Sequence, residues 1–347
     1  MGRLKKLIKK HDSENFLQWL EEFPIQVRES VDLAHRQEFT GFDVNKVVVG
    51  GMGGSGITGD LLAAYAGPEL SVPIRVNRHY RLPGWVDEQT LFIGVSYSGN
   101  TEETLAMFEE AHHRDASCLL ITSNGEMENI ARQKNYQYIN IPAGQPPRAS
   151  AGYLFIPLLF ALDNSGFAVA PSPRAIDEAV GLLEKQVLEF APSAADNRAF
   201  QLAEKIYDRI PLIYGSQDLT APLALRFKNQ LNENAKMLAV ANELPELNHN
   251  EIMGWEQLEE AGAAGGVLIL RDKEEHDRIK KRFKISREIL EEKVDFVEEV
   301  HALGSSRFAR FLTLMLTTDY ISYYTALLRG EDPSDISSIE RLKKRLK

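Results

Sequence analysis

GVSYSGNTEET, residues 94–104, is the stretch on which the chain's architecture turns. An apolar run, Leu91, Phe92 and Ile93, enters it, and a helical pattern, TLAMFEEAHHR, leaves it. In between stand Ser96, Ser98, Gly99, Asn100, Thr101 and Thr104, with Glu102 and Glu103 at the helix start. Hydroxyls where a buried strand becomes a helix have two physical explanations. In a capping box, Asn100 closes the helix start, Glu103 reaches back, and both glutamates suit the positive end of the dipole. In an anion site, the unpaired first N–H groups and the dipole draw a negative group. Capping accounts for Asn100 and the glutamates but leaves Ser96 and Ser98 without a purpose.

A second loop of the same kind lies upstream. GMGGSG, residues 51–56, follows the apolar run NKVVVG and precedes a helical pattern. Gly51, Gly53 and Gly56 satisfy G-x-G-x-x-G, the dinucleotide spacing. That fingerprint also needs an acidic residue about 20 positions on, to hold a ribose. Asn77, Arg78 and His79 stand there instead, and Arg78 leaves an NADP-dependent oxidoreductase as the minority alternative. The two loops together make better sense. Neighbouring strands of a parallel sheet end on the same side. Gly54, Ser55, Ser96, Ser98 and Thr101 are then expected to cradle one phosphate without lysine or arginine.

The 347 residues suffice for two ordinary domains, and 44% hydrophobic with 26% charged residues is a globular composition. Cys118 is the only cysteine, which excludes a disulfide framework and a cysteine zinc site. It reads as a small buried hydrophobe. A net charge of −10 repels nucleic acid and anionic membranes, so neither is an expected partner. No apolar run reaches the roughly 18–20 residues of a membrane span. MGRLKKLIKK at the start lacks an apolar signal core, and a cytoplasmic location is expected. No metal is expected either: there is no H-E-x-x-H, and on a helix the adjacent His112 and His113 point about 100° apart.

Strands alternate with helices along the chain, which implies parallel sheets covered on both faces. Residues 12–40 read as an amphipathic helix. Strands are expected at NKVVVG, SVPIRVN, TLFIGVS, SCLLITS and YQYINIP, then a buried helix at YLFIPLLFALDNSG. The alternation restarts at IPLIYGS and continues through KMLAVAN, GVLILRD and VDFVEEV to a long helix, SSRFARFLTLMLTTDYISYYTALLRG. The fold class is α/β, with two doubly wound, mostly parallel-sheet domains. Residues 1–165 form the first, with an N-terminal helix and the phosphate loops. Residues 166–195 form a helical linker, opened by Pro171 and Pro173 and closed by Pro192. Residues 196–347 form the second, with the C-terminal helices. Its counterpart of the glycine-serine loops, YGSQDLT, is much poorer.

GMGGSG and SYSGNTEET together resemble the sugar isomerase domain, a doubly wound, flavodoxin-like fold that binds phosphosugars. RFKNQLNENAK (226–236), NELPELNHNEIMGW (242–255), PRASAGYLF (147–155) and DPSDISSIERLKKRL (332–346) resemble the bifunctional phosphoglucose/phosphomannose isomerases, over nearly the whole chain. Packing alone offers no reason for asparagines on both sides of one histidine. The resemblance implies an aldose–ketose isomerase. It would interconvert glucose 6-phosphate, and mannose 6-phosphate, with fructose 6-phosphate through an enediol, without a cofactor or metal. Such chemistry needs a phosphate anchor, a ring-opening group, a proton carrier and a cation for the enediolate.

The resemblance places the base at Glu233, with Asn229, Gln230, Asn232 and Asn234 as an uncharged belt able to hold its carboxylate. It places the ring-opening residue at His249, reaching the partner subunit's site, and so implies a homodimer. Glu243 and Glu246 are the runner-up acids. Arg148, fixed behind Pro146 and Pro147, can neutralise the enediolate. The family keeps a lysine near the C-terminus, where Lys343 and Lys344 stand here, and Lys343 is taken as its counterpart. Where the bifunctional enzymes have a threonine near it, Ser334, Ser337 and Ser338 stand here. Two alternatives remain at this stage: a phosphosugar-binding sensor without catalysis, and an isomerase of another sugar phosphate.

Overall fold

A computed structural model describes residues 2–257 and 265–346. Met1, residues 258–264 and Lys347, the end of the basic C-terminal run, lie outside the described residues. The chain divides into two units, Phe23–Val180 and Met1–Glu22 with Gly181–Lys347. Helices α1 (Gly2–His11) and α2 (Phe16–Glu21) belong to the second unit.

The first unit runs α3 (Phe23–Arg36), β1 (Lys46–Gly51), α4 (Gly53–Ala66), β2 (Ile74–Asn77), β3 (Thr90–Val95) and α5 (Glu102–His113). It continues with β4 (Ser117–Thr122), α6 (Gly125–Gln133), β5 (Gln137–Asn140), α7 (Ala151–Leu162) and the start of α8 (Pro173–Glu189). The five strands pair in parallel in the order β2-β1-β3-β4-β5. Helices on both faces explain why the central strands are continuous apolar runs rather than alternating ones. Val47 to Val49, Leu91 to Ile93 and Leu119 to Ile121 are all fully buried. Strand order reverses between β1 and β3, and Gly51 sits opposite Val95 at their ends. Such a switch point is where a doubly wound sheet opens a ligand crevice, and both glycine-serine loops leave from it.

The second unit adds α9 (Arg198–Ile206), β6 (Ile210–Ser216), α10 (Thr220–Ala235), β7 (Val240–Leu244), β8 (Gly265–Arg271), α11 (Asp277–Glu291) and β9 (Phe296–His301). It ends with α12 (Arg307–Arg329) and α13 (Ser337–Leu346). Its four strands are parallel in the order β7-β6-β8-β9, the first sheet's order without a fifth strand. Helix α12 is buried from Phe308 to Leu327 without interruption. It packs against α2, α9 and α10, which is why the usual polar stripe of a surface helix is missing. Among the described residues no helix is long and apolar enough to cross a membrane.

The structure differs from the sequence-based division at both ends of the first domain. Residues 12–40 are two helices rather than one, with Glu22 closing α2. Helix α2 packs on α12, not within the first sheet's unit: the Phe16 ring stacks on Tyr323 at 6.2 Å, and Tyr323 donates to Asp12 Oδ2 at 2.8 Å. Helical periodicity shows that Phe16, Leu17 and Leu20 need cover; it does not say what covers them. The expected linker is also partly core. Leu183 is buried, and the buried Gln186 donates to Thr317 Oγ1 at 2.9 Å.

Candidate active site

At the first switch point, α4 begins with no side-chain cap. A Cβ on Gly54 would stand 2.9 Å from the Arg148 backbone nitrogen and 3.0 Å from the Pro147 carbonyl carbon, so only glycine lets the 3-10 turn Pro147–Ala149 lie on the helix start. Ser55 Oγ accepts the Tyr97 N–H at 3.1 Å and so joins the two glycine-serine loops. Ser96, fully buried, donates to Thr101 Oγ1 at 2.9 Å. Ser98 is exposed.

The capping box does not form. The N-cap of α5 is Thr101, one residue later than expected, without a side-chain cap bond. That puts Glu103 one position too early to reach back. Asn100 instead spans to the next helix, where its Oδ1 accepts the Glu126 N–H at 3.0 Å. Beside it, the hydroxyl of the buried Thr104 has no hydrogen-bond partner among the described residues.

Two residues that sequence alone does not single out carry Arg148 to this crevice. The Tyr97 hydroxyl donates to Pro142 O at 3.1 Å and accepts the Gln145 N–H at 3.0 Å. Gln26, buried on α3, donates to Ala149 O at 2.9 Å and accepts the Gly152 N–H at 2.7 Å. An aromatic between two serines was the available signal for Tyr97; nothing local marked Gln26. Arg148 itself is buried. Gly54, Ser55, Ser96 and Thr101 therefore share one corner with the turn bearing Arg148. Arg78 does not stand ready for a 2′-phosphate. It pairs with Asp60 and donates to Gly56 O at 3.1 Å.

In the second unit, Glu233 lies half-buried in the last turn of α10. Lys236, in left-handed conformation with φ 50°, closes the helix, and its Nζ donates to the carbonyls of Glu233 at 3.0 Å and Asn234 at 3.2 Å. Three amides of the expected belt bond to other partners. Gln230 donates to Asp319 Oδ1 at 2.8 Å, Asn234 to Ser322 Oγ at 3.0 Å, and Asn232 to Met237 O at 2.7 Å. The reason is spacing: Arg226, Gln230 and Asn234 recur every four residues and form a stripe facing α12. Arg226 and Asp319 are both buried and pair through both guanidinium nitrogens, Nη2 to Oδ2 at 3.0 Å.

His249 ends the 3-10 turn Glu246–His249, after a cis Leu244–Pro245 bond. Its ring is exposed and has no hydrogen bond among the described residues. The loop around it is braced on both sides. Asn248 donates to Ser286 Oγ at 2.8 Å and accepts from Arg282 Nη1 at 3.2 Å, both on α11. Glu251 accepts from the Tyr214 hydroxyl and from Asn242 Nδ2. Asn250 donates to Glu246 Oε1 at 2.7 Å. Loop bracing thus does explain the asparagines that sequence left without a packing role. Burial, then the neighbouring Glu246, raises the Glu243 carboxyl above the usual range.

Residues 42–149 match the family described as SIS domain, and residues 195–346 the family described as bacterial phospho-glucose isomerase C-terminal SIS domain. A Caldicellulosiruptor bescii protein named bifunctional phosphoglucose/phosphomannose isomerase is 38% identical over 306 residues, 88% of this chain and 90% of its own. This chain belongs to the bifunctional phosphoglucose/phosphomannose isomerase family. Also similar is a Sulfolobus acidocaldarius protein named D-glucosamine-6-phosphate 4-epimerase, 35% identical over 208 residues, 60% of this chain and 63% of that one. Among solved structures, the C-terminal domain of glucosamine-fructose-6-phosphate aminotransferase from Francisella tularensis matches with TM-score 0.69 at 16% identity, covering 93% of this chain and 98% of that one. So distant an identity bears on the fold alone.

The first family match spans the cradle loops and Arg148; the second spans Glu233, His249 and Lys343. The second sheet's own switch point in this phosphoglucose/phosphomannose isomerase family member is closed on itself. The buried Thr220 hydroxyl accepts the Ser216 N–H at 2.7 Å, so the end of β6 offers no counterpart of the cradle. Lys343 is exposed on α13, a helix with no buried residue.

Proposed function

We propose that the protein is an isomerase interconverting glucose 6-phosphate and mannose 6-phosphate with fructose 6-phosphate, through an enediol and without a metal. The observation that carries this is the two-loop cradle at the first switch point, in a chain of this family. Ser55 uses its oxygen to accept from Tyr97, and its proton stays available for a phosphate oxygen. Thr101, accepting from Ser96, is in the same condition. Ser98 and the Gly54 backbone complete the cradle, and helix starts supply the field that arginine and lysine supply elsewhere.

Arg148 steadies the enediolate oxygens as charge develops. Glu233 carries the proton between C2 and C1. His249 opens the ring, as imidazole can take and give a proton near neutral pH. Its exposed, bond-free ring on a braced loop supports a role at the partner subunit's site, and hence a homodimer. Lys343 offers a second cation. In a planar enediol C2 loses its configuration, so one base can serve both aldoses. Phosphorylated hexoses stay inside cells, which supports a cytoplasmic place in sugar metabolism.

The test is product formation from fructose 6-phosphate with a chelator present. Glucose 6-phosphate and mannose 6-phosphate together are expected. Glucose 6-phosphate alone would remove the second activity. Binding with neither product would point to a sensor, and turnover of glucosamine 6-phosphate at C4 to the epimerase reaction named for the Sulfolobus relative.

Two variants probe the parts. A hydrogen bond to a charged group contributes about 1.5–3 kcal/mol, so Ser98→Ala should raise KM roughly tenfold or more with kcat within about twofold. An unchanged KM would take Ser98 out of the phosphate site. Asn248→Ala removes two braces at a part-buried site, costing about 1–2 kcal/mol of stability. Turnover should fall several-fold more than the folded fraction does, seen by pairing kinetics with a thermal melt. A wild-type rate would show that the brace does not serve His249.

A further inference from the structure

We infer that Asp319 is a positioning residue for Glu233, acting through the polar seam between α10 and α12. The inference rests on Glu233 being the base. At 100° per residue, Arg226, Gln230 and Asn234 span about 80° of the α10 surface. Glu233, seven residues after Arg226, returns to within about 20° of it. The base therefore stands at the edge of the stripe that α12 grips.

That grip is unusually complete. Asp319 accepts from Arg226 Nη1 and Nη2 and from Gln230 Nε2. One turn on, Ser322 accepts from Asn234. Farther along α12, Arg329 Nε donates to Ala235 O at 2.9 Å, on the last residue of α10. Three points on one helix thus fix the other along its axis and about it, and the last two hold the residues one and two positions after Glu233.

Stability does not require this arrangement. Taking two charges out of water offsets much of what their attraction returns, and well-packed apolar side chains often do as well. Large apolar side chains are buried on either side along α12, Met315 and Leu316 before Asp319 and Tyr320 and Ile321 after it, with Thr317 and Thr318 between. Apolar faces tolerate small slips in register, whereas directional bonds to one carboxylate do not. A slip of α10 by one residue would swing Glu233 through about 100°.

The experiment replaces the pair together, Arg226→Met with Asp319→Leu, and separately makes Gln230→Leu and Glu233→Gln. The double variant should melt at or above the wild-type temperature and lose kcat at least tenfold at unchanged KM. Gln230→Leu, which removes the bond to Asp319 and strands no charge, should lower kcat a few-fold at unchanged KM, and it decides the matter if the double variant does not fold. A folded seam variant with wild-type kcat, while Glu233→Gln is inactive, would overturn the positioning role alone. An active Glu233→Gln would overturn the base assignment and the inference with it.

Discussion

Glu233→Gln should bind hexose 6-phosphates as the wild type does and lose turnover roughly a thousandfold, within the range that a positioned proton carrier contributes. Glutamine has the shape and hydrogen-bonding reach of glutamate but no basic oxygen to accept a proton from carbon. The substitution keeps the bond from Lys236 Nζ to the backbone oxygen of residue 233, which helps close the end of α10. The residues proposed to hold phosphate lie on other loops, at the first switch point, so affinity should survive. Steady-state kinetics and a binding titration with a non-isomerising sugar phosphate separate the two effects. A rate within tenfold of wild type would remove Glu233 from the proton transfer.

Gly99→Ala should unfold the first unit more easily by about 3 kcal/mol or more, combining a left-handed backbone with an overpacked contact. Gly99 has φ +66°, and a Cβ there would fall 1.8 Å from Asn124 O. Neither side can give way cheaply. Asn124 O accepts the Thr122 hydroxyl at 2.7 Å, and Gly99 O accepts the Met127 N–H at 2.9 Å. The same turn carries Ser98 and Thr101, so KM should rise in whatever fraction folds. Urea unfolding measures the first effect. A loss under about 0.5 kcal/mol, the scale of an ordinary surface substitution, would mean the turn is not locked.

Much of this was legible in the sequence. Continuous apolar runs between helical patterns announced two parallel sheets, because a strand covered on both faces has no reason to alternate. Glycines and hydroxyls placed where strands become helices announced two loops leaving one switch point, because the pattern there is local: helix starts, small residues, short reach. Family resemblance is what proposes Glu233 and His249, which local pattern could not separate from solvated residues.

What sequence left open has a common cause. Asn100 looked like the cap of α5 and proved to brace α6; Gln230 and Asn234 looked like part of a belt around Glu233 and proved to bond to α12. Gln26 and Tyr97 carry the Arg148 turn from places with no motif. Residues 2–21 looked like part of the first domain and pack with the second unit. A periodic pattern states that a face must be covered and a polar side chain must be bonded. It does not name the partner. The sequence by itself determined the sheets, the order of elements and the two glycine-serine loops at the first switch point. Tertiary structure decided which distant donors meet which acceptors, since each buried polar group takes whatever partner the folded chain brings within about 3 Å.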